Sequence, residues 1–357
     1  MDKIILHWVQ IPFLEPFRIS NGSVAVKDSI IVEAHEDGYT GFGEASPMAG
    51  SFYSAETPES TWQALEQKLI PRAIESAEFS IDGEPFARAG LDGALWDLAC
   101  QRSGRRLCDL LGAQPRPVPS GVAVGIFDTL DELLDRVERF QAHGYRRVKI
   151  KIQPGWDIEP VRAVRERFGP IELMVDANAA YTLREADVFR ELDRFGLMMY
   201  EQPLGRDALD DLAELQRVVK TPICADESAE SMAALDRMIQ LGAARIINIK
   251  VQRVGGLEPA KAMHDRAQAA GLGCWLGAMP ELGIASAQGL HLAFLPGFTY
   301  PTDVEASARW YADDLVDPPL EIDQQGYLHV PPGQGSGFTV NRAKLERYTV
   351  KRMEFTA

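Results

Sequence analysis

Asp176, Glu201 and Asp226 each close a short apolar run, in IELMVD, LMMYE and TPICAD, and Lys151 and Lys250 close two more, in RRVKIK and RIINIK. The intervals from Lys151 through to Lys250 are 25, 25, 25 and 24 residues. Three carboxylates brought close together repel one another, so either one takes up a proton or a cation compensates them. Oxygen ligands without His or Cys nearby suit a hard divalent ion. A site that leaves positions for water and substrate suits Mg²⁺, with Mn²⁺ as the alternative. Lys149 and Lys151 are two apart on a strand and so point to one side. A lysine with its ordinary pKa of about 10.4 is a poor base at pH 7, and partial burial beside a dication and a second ammonium lowers it towards the working range. Such a set reads as proton abstraction next to a carboxylate, the metal stabilising the enediolate and the lysines moving the proton. Taken singly, an Asp after an apolar run is ordinarily a helix N-cap, and a lysine pair is ordinarily a solvated strand edge. The shared spacing is what argues for a common site.

Between these runs lie segments such as PVRAVRERFG, EADVFRELDRFG and MAALDRMIQLG, apolar about every third or fourth residue, as in amphipathic helices. Strand, helix and two loops repeating every 25 residues is the beat of a parallel (β/α) barrel, whose strand ends meet at one mouth. All five residues are therefore expected to face one cavity. The chain of 357 residues exceeds a barrel of typically ~250, so a second domain is expected. Residues 4–11, 28–34 and the segment TGFGEA read as an antiparallel meander. Two segments, 15–22 and 45–56, carry Phe17, Met48, Phe52 and Tyr53 at spacings too irregular for a strand; they read either as domain packing or as a lid over a pocket. Helices are expected over 56–76 and 86–111, a Pro-rich linker over 112–119, and then the first barrel strand, GVAVGI. A seventh strand ends near Met279 and an eighth position falls near TYPTDVEA. The division expected is residues 1–118 as an α+β cap, 119–318 as the barrel, and 319–357 folding back on the cap.

A formal charge of −15, with no local Lys/Arg block, excludes nucleic acid as the expected partner. Cys100, Cys108, Cys224 and Cys274 lack CxxC spacing, and Cys224 and Cys274, in strand-like runs, read as buried reduced thiols. The N-terminus lacks signal-peptide architecture and no apolar run approaches a membrane span of ~20 residues, so a cytoplasmic protein without a membrane partner is expected.

The combination of KIKIQPGWD, VDANAAYTL, YEQPL, PICADES, INIKVQRVGG and GAMPELG, with PFR and GEASPMAGSFYSAE earlier in the chain, resembles the enolase superfamily, muconate-lactonizing subgroup. Within it the chain is most similar to the o-succinylbenzoate synthase and N-succinylamino acid racemase group. The resemblance implies an α+β cap closing over a (β/α)₇β barrel. It further implies Mg²⁺ on Asp176, Glu201 and Asp226, with Lys151 and Lys250 as acid/bases on opposite faces of the substrate and Lys149 as electrostatic support. Asn178 would hold metal or substrate oxygens, and Phe17, Met48 and Tyr53 would cover the substrate. Arg253, three residues beyond Lys250, is shared with racemase-capable members and reads either as tuning Lys250 by its charge or as an exposed arginine on a βα loop. Glu227 directly follows the last acid, so it points to the opposite side of the strand where the strand extends that far, and reads as an outer partner of the metal ligands rather than a fourth ligand. The chain departs from the pattern at Ala123, where relatives carry Ser, and across Gly277, Ala278, Met279, Pro280, Glu281, Leu282 and Gly283, where relatives read GGMxETG; this is where a succinyl carboxylate would be read. The implied activity is dehydration of a cyclohexadiene carboxylate to o-succinylbenzoate, a step towards menaquinone. The alternative is inversion of N-succinylamino acids or related acyl amino acids or dipeptides, and the remote alternative is a barrel that has lost catalysis. The expected partner is a small carboxylate substrate, and a homo-oligomer is expected.

Overall fold

Alternating apolar residues build the N-terminal sheet. In a computed structural model, which describes residues 1–19, 22–49, 54–76 and 84–357, strand Lys3–Ile19 pairs antiparallel with Gly22–Glu36, which pairs in turn with Tyr39–Ala45. The last strand of the chain, Thr349–Thr356, adds to the outer edge of Lys3–Ile19. Ile4, Leu6, Ile30, Val32 and Ala34 bury one face of this sheet against Trp62, Leu65, Leu69, Leu91, Ala94 and Leu98 of the helices that follow. Helix Pro85–Ser103 lies so close to the sheet that a Cβ at Gly41 would come within 2.3 Å of the Ala94 carbonyl, and one at Gly43 within 2.1 Å of that of Gly90. The two glycines of TGFGEA are therefore packing residues rather than turn residues. The 15–22 stretch, expected to be a loop, continues the first strand to Ile19, with Phe17 opposite Val24.

Seven parallel strands follow in chain order, each bonded to the next: Gly121–Val124, Arg147–Lys151, Glu172–Asp176, Tyr200–Glu201, Ile223–Ala225, Ile246–Ile249 and Gly273–Leu276. The eighth position is an irregular segment rather than a strand. Phe298 bridges Cys274 on one side, and Thr302 bridges Ser120 on the other. The helices between strands owe their placement to local signals. In Leu130–Ala142, Thr129 and Glu132 form a reciprocal capping box, and Leu133, Val137 and Phe140 make one buried stripe.

Strand alternation sorts the barrel interior into levels. Met174, Met199 and Cys224 each precede an acid by two residues, and with Ile246 and Trp275 they form an apolar floor. The acids stand one level above. All four cysteines are free and buried.

Cap and barrel are joined by buried polar contacts. The Glu44 carboxylate accepts from Ser29 Oγ at 3.0 Å, from the amide of Leu282 at 2.8 Å and from that of Ala285 at 3.0 Å, and also from Ser46 Oγ. It thus caps the N-terminus of barrel helix Gly283–Leu292 with a negative charge from the other domain. Gln252 adds a reciprocal pair, accepting from the Ser46 amide and donating to the Glu44 carbonyl.

Candidate active site

One cavity of about 1730 Å³ opens at the strand ends, between barrel and cap. Lys149, Lys151, Asp176, Asn178, Asp226, Lys250 and Arg253 line it, with Phe17 from the cap above. Asp176 is directly opposite Lys151 in one strand pairing and Glu201 in the next, so register alone sets these three side by side. Asp226 follows its strand by one residue. Its loop is fixed by Gln202, whose Oε1 accepts from the Asp226 and Ser228 amides at 2.9 and 3.1 Å.

Each acid meets a cation of the chain. Lys151 Nζ lies 2.5 Å from Asp176 Oδ2 and 2.6 Å from Asn178 Oδ1. Lys250 Nζ lies 2.9 Å from Asp226 Oδ2, and Arg253 Nη1 is 2.6 Å from Asp226 Oδ1. Lys149 Nζ stands between Glu201 Oε2 at 3.1 Å and Asp303 Oδ2 at 2.6 Å. Burial works to lower the pKa of Lys149 and of Lys151, but the surrounding acids together outweigh it and leave both raised: Asp303, then Glu201 and Asp176, for Lys149, and Asp176, then Glu201, for Lys151. Asp226 is held below the ordinary carboxylate range, because Arg253 and Lys250 outweigh its desolvation. Glu201 goes the other way: burial and then the charge of Asp176 push it up to about 8. Its Oε2 makes no hydrogen bond, while Oε1 accepts from Asn248 Nδ2 at 2.9 Å.

Among the described residues, no three His, Cys, Asp or Glu side chains are arranged to hold a metal ion as they stand. The donor chemistry nevertheless fits a hard dication: three buried carboxylates at successive strand ends, no soft ligand, and one carboxylate oxygen without a hydrogen bond.

The remaining expectations divide. Ala278, Met279 and Pro280 line the cavity, but Gly277, Glu281 and Glu201 do not. A Cβ at Gly277 would meet Asn248 Oδ1 at 2.1 Å, so that glycine makes room for a protein amide. Glu281 is buried beside the seam, its pKa pushed up to about 8 by burial and then by Glu44, and it accepts from the Met279 amide. Met48 is core, packed with Phe86 and Met279. Phe17 lines the cavity while stacking against Phe13 and meeting Trp310 edge-on. Tyr53 and Phe52 lie outside the described residues. Asn178 sits beyond its strand, on a turn where it and Ala179 have φ of 41° and 61°; this left-handed turn brings its amide N–H to Asp176 Oδ1. Glu227, expected to point away, lines the cavity and accepts from Asn178 Nδ2 at 3.2 Å.

Sequence reasoning missed Asp303, Arg147 and Asn248. Arg147 Nη2 donates to Asp303 Oδ1 at 2.6 Å, so Asp303 is shared between Arg147 and Lys149, and both cations stack over Trp275. A same-face signal was available, since Arg147 precedes Lys149 by two residues and Asn248 precedes Lys250 by two.

Two family models match the chain: "Enolase C-terminal domain-like" over residues 132–344 and "Mandelate racemase / muconate lactonizing enzyme, N-terminal domain" over residues 3–112. The chain belongs to this family of the enolase superfamily, a family of enzymes. Among its relatives, the o-succinylbenzoate synthase of Geobacillus kaustophilus is 41% identical, over 98% of this chain and 96% of that protein. The N-succinylamino acid racemase of an Amycolatopsis species is 40% identical, over 99% and 98%. A solved enolase-superfamily structure from Listeria innocua superposes with a TM-score of 0.95 at 34% identity, covering 99% of this chain and 98% of that one. No helix among the described residues is long and apolar enough to cross a membrane.

Proposed function

We propose that the protein is an o-succinylbenzoate synthase, a lyase that removes the proton α to the carboxylate of a hydroxylated cyclohexadiene and expels the β-hydroxyl. The observation that carries this reading is the row Lys151, Asp176, Glu201, Asp226, Lys250 along neighbouring strand ends, an amine at each end and carboxylates between, all but the fully buried Glu201 lining one cavity. Relatives bearing that name, at 36–41% identity over nearly their whole length, support it. Asp176, Glu201 and Asp226 would hold Mg²⁺, which when bound supplies positive charge to the substrate carboxylate and takes over the carboxylate charge that now holds the lysines. Lys151 Nζ then takes the α-proton. The C–O bond to the hydroxyl breaks and the same ammonium returns its proton to the departing oxygen, so water leaves and the ring becomes aromatic. Lys250 stays cationic beside the charge that develops on the carboxylate. Lys149, held between Glu201 and Asp303, keeps the floor of the site positive.

A second reading, inversion of N-succinylamino acids, is favoured by the same paired lysines, because inversion needs a proton taken from one face and delivered to the other. Purified protein incubated with the cyclohexadiene carboxylate, with and without EDTA, tests the first reading by formation of the aromatic product. Turnover that persists unchanged without divalent ions, or no product with Mg²⁺ present, overturns it. Incubation with an N-succinylamino acid in D₂O tests the second by deuterium at Cα.

A further inference from the structure

Asn248 is fully buried on strand Ile246–Ile249, two residues before Lys250, and none of the steps above uses it. Its Nδ2 donates to Glu201 Oε1 at 2.9 Å, while its Oδ1 makes no hydrogen bond. A buried carbonyl oxygen without a donor is disfavoured, so this orientation of the amide needs a cause. The carboxylate supplies one, because turning the amide over would set Oδ1 against Glu201 Oε1, acceptor against acceptor. Room for the oriented amide comes from the neighbouring strand, where a Cβ at Gly277 would stand 2.1 Å from Oδ1. The backbone beneath is held as well. Arg253 Nη2 donates to the Asn248 carbonyl at 2.7 Å, and the Gly277 amide donates to the Ile249 carbonyl at 3.1 Å.

The acids of the row are therefore treated differently. The side chains that meet Asp176 and Asp226 are cations, Lys151 at one and Lys250 with Arg253 at the other, and a bound dication would take over their hold. Of the three acids, and among the described residues, only Glu201 receives a hydrogen bond from a neutral side chain. A neutral amide is not repelled when positive charge arrives, so Oε1 stays engaged. Oε2, which makes no hydrogen bond and faces Lys149 at 3.1 Å, is the oxygen left for an ion. The number of oxygens offered decides which ion is preferred: Ca²⁺ accepts a carboxylate through both, whereas Mg²⁺ holds to near-ideal octahedral geometry, which a two-oxygen grip distorts.

We infer that Asn248 is a positioning residue that limits Glu201 to one oxygen towards the metal and so favours Mg²⁺ over Ca²⁺, with Gly277 providing the space that allows it. The inference rests on the metal set proposed above. Its test is calorimetric titration of the metal-free protein, without substrate, with Mg²⁺ and separately with Ca²⁺. The wild type should bind Mg²⁺ and set the reference ratio of the Ca²⁺ to the Mg²⁺ dissociation constant. In Asn248→Ala both oxygens of Glu201 are free to turn inward, so Mg²⁺ binding should weaken by about 10- to 100-fold and the ratio should fall by about tenfold or more. Gly277→Ala should lower the ratio too, by crowding the amide. The double variant should bind like Asn248→Ala, since alanine at 277 then has no amide to crowd. A ratio on one preparation does not depend on how much of it is folded, and where Asn248→Ala yields no folded protein the Gly277→Ala ratio decides. A ratio unchanged within about twofold in either single variant, or effects that multiply in the double variant, overturns the inference, while Mg²⁺ binding by the wild type leaves the metal set standing. If the wild type binds no Mg²⁺, the metal set and the inference fall together.

Discussion

The two ends of the acid row are built alike and finished differently. At one end Lys151 meets Asp176 and a neutral amide, Asn178, and its side chain is 23% exposed. At the other, Lys250 shares Asp226 with a second cation, Arg253, and is only 5% exposed. The wetter position gives the Lys151 ammonium a route for proton exchange with solvent between turnovers. The more buried Lys250 has less contact with solvent through which to exchange a proton. In the elimination proposed above, that difference is the reason for giving proton transfer to Lys151 and electrostatic support to Lys250, although both amines have the same chemistry.

The largest expected effect comes from breaking the wetter end. Lys151→Met should lower product formation by about 10²- to 10⁴-fold, the range for loss of a general base, without lowering the melting temperature. Equal loss from the corresponding Lys250 substitution would erase the distinction. Next, Asp226→Asn should weaken Mg²⁺ binding by more than about 100-fold in a calorimetric titration, since even outer partners of metal ligands cost 10- to 100-fold. Unaltered affinity would remove Asp226 from the ligand set. Lys250→Arg sharpens the contrast: it retains charge without a usable base, so synthase activity should fall less than in Lys151→Met. For one enantiomer of an N-succinylamino acid, Cα exchange in D₂O should persist while inversion stops. The smallest catalytic change is expected above the row. Phe17→Ala should cost about 1–3 kcal/mol in kcat/KM through lost apolar cover. Met48→Ala, in packed core, should instead cost about 2–5 kcal/mol of stability in thermal or denaturant unfolding. The reverse pattern would make Met48 the lid residue.

Phe17 and Met48 also show where sequence reading stops. Both came from stretches too irregular to assign, and no periodicity says that one reaches the cavity while the other packs on Phe86 and Met279. The glycine-rich end of the seventh strand misled in the same way. Gly277 and Glu281 sit among motif residues, yet one yields to Asn248 and the other is held at the domain seam. Tightly packed neighbours from other elements decided both.

The sequence by itself determined the seven-strand beat, the parallel order, and the placing of Lys149, Lys151, Asp176, Glu201, Asp226 and Lys250 at strand ends. These rest on short-range rules: a 25-residue strand-helix unit, and alternation that puts residues two apart on one side. Only the tertiary structure decided that Asp303 answers Lys149 across 154 residues, that Glu305 reaches Ala123 across 182, and that Glu44 of the cap caps a barrel helix 238 residues away at Leu282. Those contacts exist only once the barrel has closed through an irregular eighth segment and the cap has docked. A segment without regular periodicity leaves no local trace of which side chains it will bring to the site, because packing against distant strands, rather than its own backbone repeat, sets their direction.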